Sequence, residues 1–203
     1  MSTDDAGRGP ERLEAFSDGI FAISITLLVL DIKVPTGEQL ASPTALLDAL
    51  AALWPAYLGY LISFISVGNA WANHHNLLRH VHHVDHGLLF ANLFLMVGVG
   101  FIPFPTALLA ETLGHPGEQI GVVVYATTFT VLAVTFNVLW YRVKRVLRPE
   151  TSPAIVEALN RSYRLGPPAS LAAVLLAFAN PLLGMAVLVG LTVLYILPRS
   201  TAA

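Results

Sequence analysis

The sequence predicts an all-helical, polytopic membrane protein, and three observations carry that prediction. Hydrophobic residues fill 55% of the 203 positions and charged residues only 12%, with a positive mean hydropathy, a balance unlike that of an ordinary soluble domain. The apolar surplus is gathered into blocks close to the ~20 residues that a helix needs to cross a bilayer. The cations, finally, sit in alternate connections. Arg79, Arg142, Lys144, Arg145, Arg148, Arg161 and Arg164 share one set with Arg8, Arg12 and Arg199 near the ends, and Lys33 stands alone in the other.

Read by the excess of cations on the inner face, that asymmetry places both the N- and C-termini in the cytoplasm and favours six crossings in one transmembrane domain, 1–203. The helices are expected over about 13–34, 44–73, 86–111, 118–146, 162–180 and 182–198. Pro35 stops the first. Pro55 is expected to kink the second, and Pro103 and Pro105 fall near the far end of the third. The basic stretch from Arg142 to Arg164 is too charged for lipid and reads as an extension of the fourth helix followed by an amphipathic connection. Asn180-Pro181 divides the last apolar run into a tight hairpin whose arms are short for a span, so a single kinked or re-entrant element competes with two crossings. The first ten residues are polar and no small-residue cleavage site follows the first apolar block, so no signal peptide is expected.

The first helix organises the rest. Its twenty-two expected residues, 13–34, span ~33 Å. On an ideal wheel Phe16, Leu27, Leu30 and Val34 fall within ~40° of Ile23, with Ile20 and Thr26 flanking the stripe. Asp18 points roughly the other way, and a carboxylate inside an apolar helix demands a protein partner or water. The returning second helix brings Trp71, Asn73, His74 and His75 to the depth of Ser17 and Asp18, which predicts a polar lock between the two helices or a direct part in gating. Arg12 lies near the stripe's azimuth and needs a partner such as Asp18 of a neighbouring helix or Asp85, because Arg12 and Asp18 are ~120° apart on one helix. Asn92 and Asn137, isolated amides in apolar helices, read as interhelical hydrogen-bond partners.

The phrase Arg12-x-x-x-Phe16-Ser17-Asp18, leading straight into an apolar helix with a proline stop, resembles the signature of the TMEM175 potassium channel family, in its bacterial form. The likeness continues more loosely through Trp71, His74 and His75 and through 101–105. What the resemblance implies is a homotetramer of six-helix subunits in a bacterial inner (plasma) membrane, with the first helix of each subunit around a central pore. No TVGYG-type filter is present in the chain, and none is expected in that family. The resemblance makes Ile23, Leu27 and Leu30 the pore constriction, a ring of hydrocarbon that narrows the path and disfavours water within it. Thr26 would offer a hydroxyl to a partly dehydrated cation, unless it only bonds back to a helix carbonyl. Asp31, ~80° from Ile23 on the ideal wheel, would gather cations at the outer mouth, partly offset by Lys33.

The expected function is therefore passive passage of monovalent cations, potassium preferred, with the lipid bilayer and further copies of the chain as partners. No cofactor is expected, and no metal beyond permeating potassium. A proton- or sodium-coupled secondary transporter using Asp18 is the alternative, although no convincing inverted repeat is visible. The histidines His74, His75, His80, His82, His83 and His86 leave a His-based intramembrane metal protein as a third reading, with Asp85 the one carboxylate among them. Catalysis has little support, since no Ser-His-Asp spacing, nucleotide-binding glycine loop or zinc-protease motif occurs. Nucleic acid has none, and the absence of cysteine removes disulfides and thiolate chemistry.

Overall fold

Proline and small polar residues set most of the helix starts, as local chemistry requires where the first N–H groups have no partner. A computed structural model describes residues 9–196. Within them the long helices are α1 (Pro10–Leu27), α2 (Pro43–Ala52), α3 (Trp54–Leu78), α4 (His86–Phe101), α5 (Pro103–Thr112), α6 (Glu118–Val143), α7 (Pro153–Ala179) and α8 (Pro181–Ile196). Ser42 accepts from the Ala45 amide at 3.1 Å ahead of Pro43, and Ser152 does the same for Ile155 ahead of Pro153. Asp85 opens α4 by accepting from Leu88 N at 2.6 Å, and Asn180 opens α8 by accepting from Leu182 N at 2.9 Å.

The all-helical class is as expected; among the described residues the sole departure is an isolated antiparallel bridge between Val81 and Leu147. Pro10–Asp31, His86–Thr112 and Glu118–Val143 are each long and apolar enough to cross a bilayer, and the pair α2 and α3, bent by 45° at Leu53, makes a fourth candidate. α8 is apolar but short, and α7 carries Arg161 and Arg164 in its first half.

Several expected boundaries move. The first element stays α-helical only to Leu27, tightens into a 3₁₀ turn over Leu28–Asp31 and is extended from Ile32, so Val34 leaves the stripe. The basic connection is not an extension of the fourth helix: α6 ends at Val143, and α7 begins at Pro153, some nine residues before the expected start. Pro167 and Pro168 lie inside α7 without ending it. The second and third expected helices are each broken once, at Leu53 ahead of Pro55 and at Ile102 ahead of Pro103.

One end of the bundle, here called basal, holds the start of α1, the end of α3, the start of α4 and the end of α6. Loops from α3–α4 and α6–α7 are strapped together there, with His82 N on Val146 O at 2.8 Å and Arg148 N on His80 O at 2.9 Å. Trp140 Nε1 donates to Asn160 Oδ1 at 2.8 Å, pinning the start of α7 to the end of α6. The described cations other than Lys33 all lie in this basal half; Arg8 and Arg199 lie outside the described residues, as do positions 197–198 of the last expected helix.

A second fastening lies deeper. Thr106 Oγ1 donates to Ile102 O at 2.9 Å, so Ser63 must donate to Thr106 at 2.7 Å and the Tyr125 hydroxyl to Ser63 at 2.9 Å, a relay that ties α3, α5 and α6. Tyr125 is its outer end and Ser63 its middle. Tyr125→Phe should therefore cost about 0.5–1.5 kcal/mol, and Ser63→Ala more, since it strands a buried phenol proton; thermal unfolding of the purified protein in a mild detergent measures both, and the opposite order would contradict this relay.

The strap also carries a pH dependence. Burial first, and then the neighbouring Arg79 and Arg148, lowers the pKa of His80 below its ordinary value. Its neutral form is the one the fold favours, so its contribution is intact above the unfolded pKa of ~6.5 and is lost as pH falls through that value toward the lowered folded one. Amide exchange at Arg148, corrected for its intrinsic rate, should lose protection between about pH 7.5 and 5.5, and His80→Gln should remove that loss.

Candidate functional site

α1 is two-faced in a way that reverses the expectation for a soluble helix. Leu13, Ser17, Phe21, Ser24 and Leu28, spaced at three and four residues, are its buried side. Ile23, Leu27 and Leu30 are 60%, 41% and 64% exposed on the other, in line with half-exposed Phe16. The helix thus turns both serine hydroxyls inward and leaves Phe16, Ile23, Leu27 and Leu30 on the face turned away from its own subunit.

The inward face is held by polar contacts whose donor order can be deduced. Ser17 Oγ donates to Leu13 O at 2.8 Å, so it must accept from Asn92 Nδ2 at 2.9 Å; that turns Asn92 Oδ1 to His74, whose Nε2–H donates at 2.7 Å. Ser17, Asn92 and His74 are all fully buried. One turn or two further along, Ser24 Oγ donates to Val99 O at 2.8 Å, again from α1 to α4. Phe21 packs against the His74 ring with centroids 5.5 Å apart.

A second, half-exposed layer lies beside this one. Trp71 Nε1 donates to Asp18 Oδ1 at 2.8 Å, and the Trp71 ring stacks on His75, which contacts Glu14 through Nδ1. Asp18 is half-buried, not deeply buried, and its partner is an indole where an imidazole or guanidinium was expected. Arg12 is exposed and has no carboxylate within ion-pair distance among the described residues, and Asp85 is engaged as a helix cap, so the expected pair with Asp85 does not form. Glu14 was missed by sequence reasoning, although its position four residues before Asp18 puts both on one flank of the helix. Ser24, seven residues after Ser17, repeats the same face and was readable in the same way.

Near the distal end the 3₁₀ turn changes the picture. Thr26 Oγ1 donates to Ala22 O and Ile23 O at 3.0 and 2.9 Å, the back-bonding alternative, leaving its lone pairs outward. At ~120° per residue the 3₁₀ turn sets Leu30 directly above Leu27 and swings Asp31 to ~160° from Ile23. Asp31 accordingly lies half-buried beside α5, with Oδ2 enclosed and unpaired among the described residues, and Lys33 Nζ is held by Leu30 O at 3.2 Å. Asp31 thus lies farther from the exposed stripe than the ~80° of an ideal wheel.

The histidines do not converge. Among the described residues no group of three or more His, Cys, Asp or Glu side chains is placed to hold a metal ion. His82 and His83 meet edge to face, and His86 packs on Phe90 at 4.5 Å.

Comparison with known proteins agrees with this geometry. The family model described as the endosomal/lysosomal potassium channel TMEM175 matches residues 12–103. A potassium channel of Chamaesiphon minutus is 42% identical over 194 residues, covering 94% of this chain and 95% of that one. The chain belongs to the TMEM175 family. The crystal structure of the lysosomal potassium-selective TMEM175 homolog from Chamaesiphon minutus superimposes with a TM-score of 0.83 at 41% identity, covering 92% of this chain and 95% of the other. Human TMEM175, an endosomal/lysosomal proton channel, is 33% identical over 146 residues, which is 70% of this chain and 29% of the human protein. The resemblance drawn from the Arg12-to-Asp18 phrase is thereby established for a TMEM175 protein of nearly the same length as its bacterial relative.

The two layers around α1 predict unequal costs. Asn92→Leu removes two hydrogen bonds and strands the buried His74 donor, at about 1–3 kcal/mol, whereas Trp71→Phe leaves Asp18 open to water at below about 1 kcal/mol. Thermal unfolding of the two variants, with the assembled fraction read by size exclusion, checks the order; an equal or larger cost for Trp71→Phe would make the outer layer the principal fastening.

Proposed function

We propose that the protein is a passive, potassium-preferring monovalent cation channel of a bacterial plasma membrane, formed by four copies of the chain around a pore lined by α1. The reading rests on one observation above all: α1 buries Ser17 and Ser24 inside its subunit and presents Ile23, Leu27 and Leu30 outward. A lone subunit has no path on that face, and cyclic symmetry turns one exposed stripe into a closed ring. The names of the Chamaesiphon relatives, potassium channels both by sequence and by structure, support the same ion.

In this arrangement potassium passes a hydrocarbon constriction, with Ile23, Leu27 and Leu30 admitting an ion only as it gives up part of its water, and dewetting of the same ring closes the path. Thr26, beside the stripe with its lone pairs outward, offers one oxygen to the dehydrated ion. Ser17, Asp18, Trp71, His74 and His75 fix the azimuth of α1, and Phe16 and Arg12 stand at the inner mouth. Six crossings with both termini cytoplasmic follow if α7 and α8 each traverse the bilayer, which the basal position of the described cations supports. Against the alternatives, Asp18 already accepts from Trp71, and no group of three or more metal-ligating side chains is placed together among the described residues.

Flux from purified protein in liposomes tests this reading. Ile23→Asn should raise potassium flux several-fold and erode the preference over sodium, with Leu30→Asn a second variant on the same ring. Unchanged flux of both ions in both variants would overturn the assignment of the constriction.

A further inference from the structure

A slot of about 140 Å³ runs between α3, α6, α7 and α8, inside one subunit and away from the exposed face of α1. From Ile62 to Asn73 it follows α3 for ~16 Å of helix. Its polarity is graded. Ile62, Tyr125, Phe129, Leu132 and Leu188 line the part toward the distal end, whereas Asn69, Asn73 and Asn137 gather in the basal part. No charged side chain lines it among the described residues.

The three amides are alike in one respect. Asn69 Nδ2 donates to Thr192 O at 3.1 Å, Asn73 Nδ2 to Asn69 O at 2.8 Å, and Asn137 Nδ2 to Ala133 O and Tyr163 O at 2.8 and 2.9 Å. Carbonyl acceptors on each nitrogen settle which end of the amide is which. The three Oδ1 atoms accept no hydrogen bond from any described residue, so acceptor capacity accumulates at one end of an apolar space. Ser66 and Thr192 add no free donor, because Thr192 donates to Leu188 O and Ser66 to Thr192, and what they have left are further acceptor lone pairs.

These features select a ligand by elimination. An anion would need a cation or a cluster of donors, and only one N–H on each of Asn69 and Asn73 is left over, since Asn137 spends both of its own. A bare metal cation would exchange its water for three amide oxygens and hydrocarbon, with no carboxylate to offset the loss. What fits is a molecule that brings its own donor and an apolar body. An engineered cavity of comparable size in another protein, 150 Å³, holds benzene, which sets the scale of that body at ~6–9 heavy atoms. We propose that this slot is a binding site for a small, neutral, hydroxyl-bearing amphiphile, its donor on the asparagine oxygens and its hydrocarbon toward Tyr125 and Leu188.

The test is photolabelling of the purified, lipid-reconstituted protein with a six-carbon alkanol bearing a diazirine, mapped by peptide mass spectrometry. Labelling should be saturable, fall within 62–73, 125–137 and 188–195, and be displaced by unlabelled octan-1-ol. The matching diazirine alkane without the hydroxyl should label these positions about fivefold less, the equivalent of one net hydrogen bond. Asn73→Ala, whose amide nitrogen bonds only its own helix, should weaken the alkanol by a similar factor. Ala133→Trp should abolish labelling by filling the slot, with Leu191→Phe used where the tryptophan variant does not assemble. Labelling that does not saturate, that ignores the hydroxyl, or that survives both filled variants would overturn the proposal.

Discussion

Ser17, Asn92 and His74 meet in full burial, where each polar atom that lacks a partner costs more than a hydrogen bond is worth. The chain from the imidazole through the amide to the serine has to end on an acceptor, and it ends on the carbonyl of Leu13 in α1 itself. Because every step is directional, α1 cannot roll about its axis without stranding at least one donor. The deeper relay from Tyr125 through Ser63 and Thr106 to Ile102 O obeys the same rule. Both relays terminate at carbonyls of spanning segments, which helices offer even where water is scarce.

That constraint has a consequence for the opposite face. With Ser17 and Ser24 turned inward, Ile23, Leu27 and Leu30 are left only partly covered by their own subunit. In water this would be a fault; next to lipid or a second copy it is tolerable, since hydrocarbon there has nothing to lose. The inward polar face and the outward apolar one are therefore one design decision. An outward leucine alone means little in a membrane protein, and acquires meaning because the polar lock holds it at a fixed angle.

Most of this architecture was legible in the sequence, for reasons that also explain the rest. The stripe and the Arg12-to-Asp18 phrase were readable because helical periodicity and a short motif are local. The depth at which Trp71, His74 and His75 meet α1 followed from an antiparallel return, and Asn92 and Asn137 from the rarity of amides among apolar residues. Pairing was not legible. Which of Trp71, His74 and His75 takes Asp18 depends on a few tens of degrees of helix rotation, and composition carries no such angle. The start of α7 was misplaced because the basic stretch from Arg142 to Arg164 read as an extension of the fourth helix and an amphipathic connection, whereas Ser152-Pro153 is a helix start and Arg161 and Arg164 ride on its exposed side. Pro167 and Pro168 within α7 hid its continuity.

The 3₁₀ turn at Leu28–Asp31 shows how a small change of pitch redistributes roles. On an ideal α-helix Leu30 would sit ~60° behind Leu27 and ~4.5 Å above it; with three residues per turn the two eclipse, ~6 Å apart. The apolar stripe becomes longer at its distal end than the wheel allows, with Leu30 aligned on Leu27. Asp31 is the counterpart of that gain. The same tightening that stacks Leu30 on Leu27 carries the next residue round toward α5, so the carboxylate leaves the exposed face at the point where the hydrocarbon is extended. Lys33 then bonds the Leu30 carbonyl, one of the groups the helix end leaves open. A chain that continued as an α-helix to Val34 would keep its last leucine on the stripe but hold its charge nearer to it, and the separation of charge from hydrocarbon on α1 would be lost.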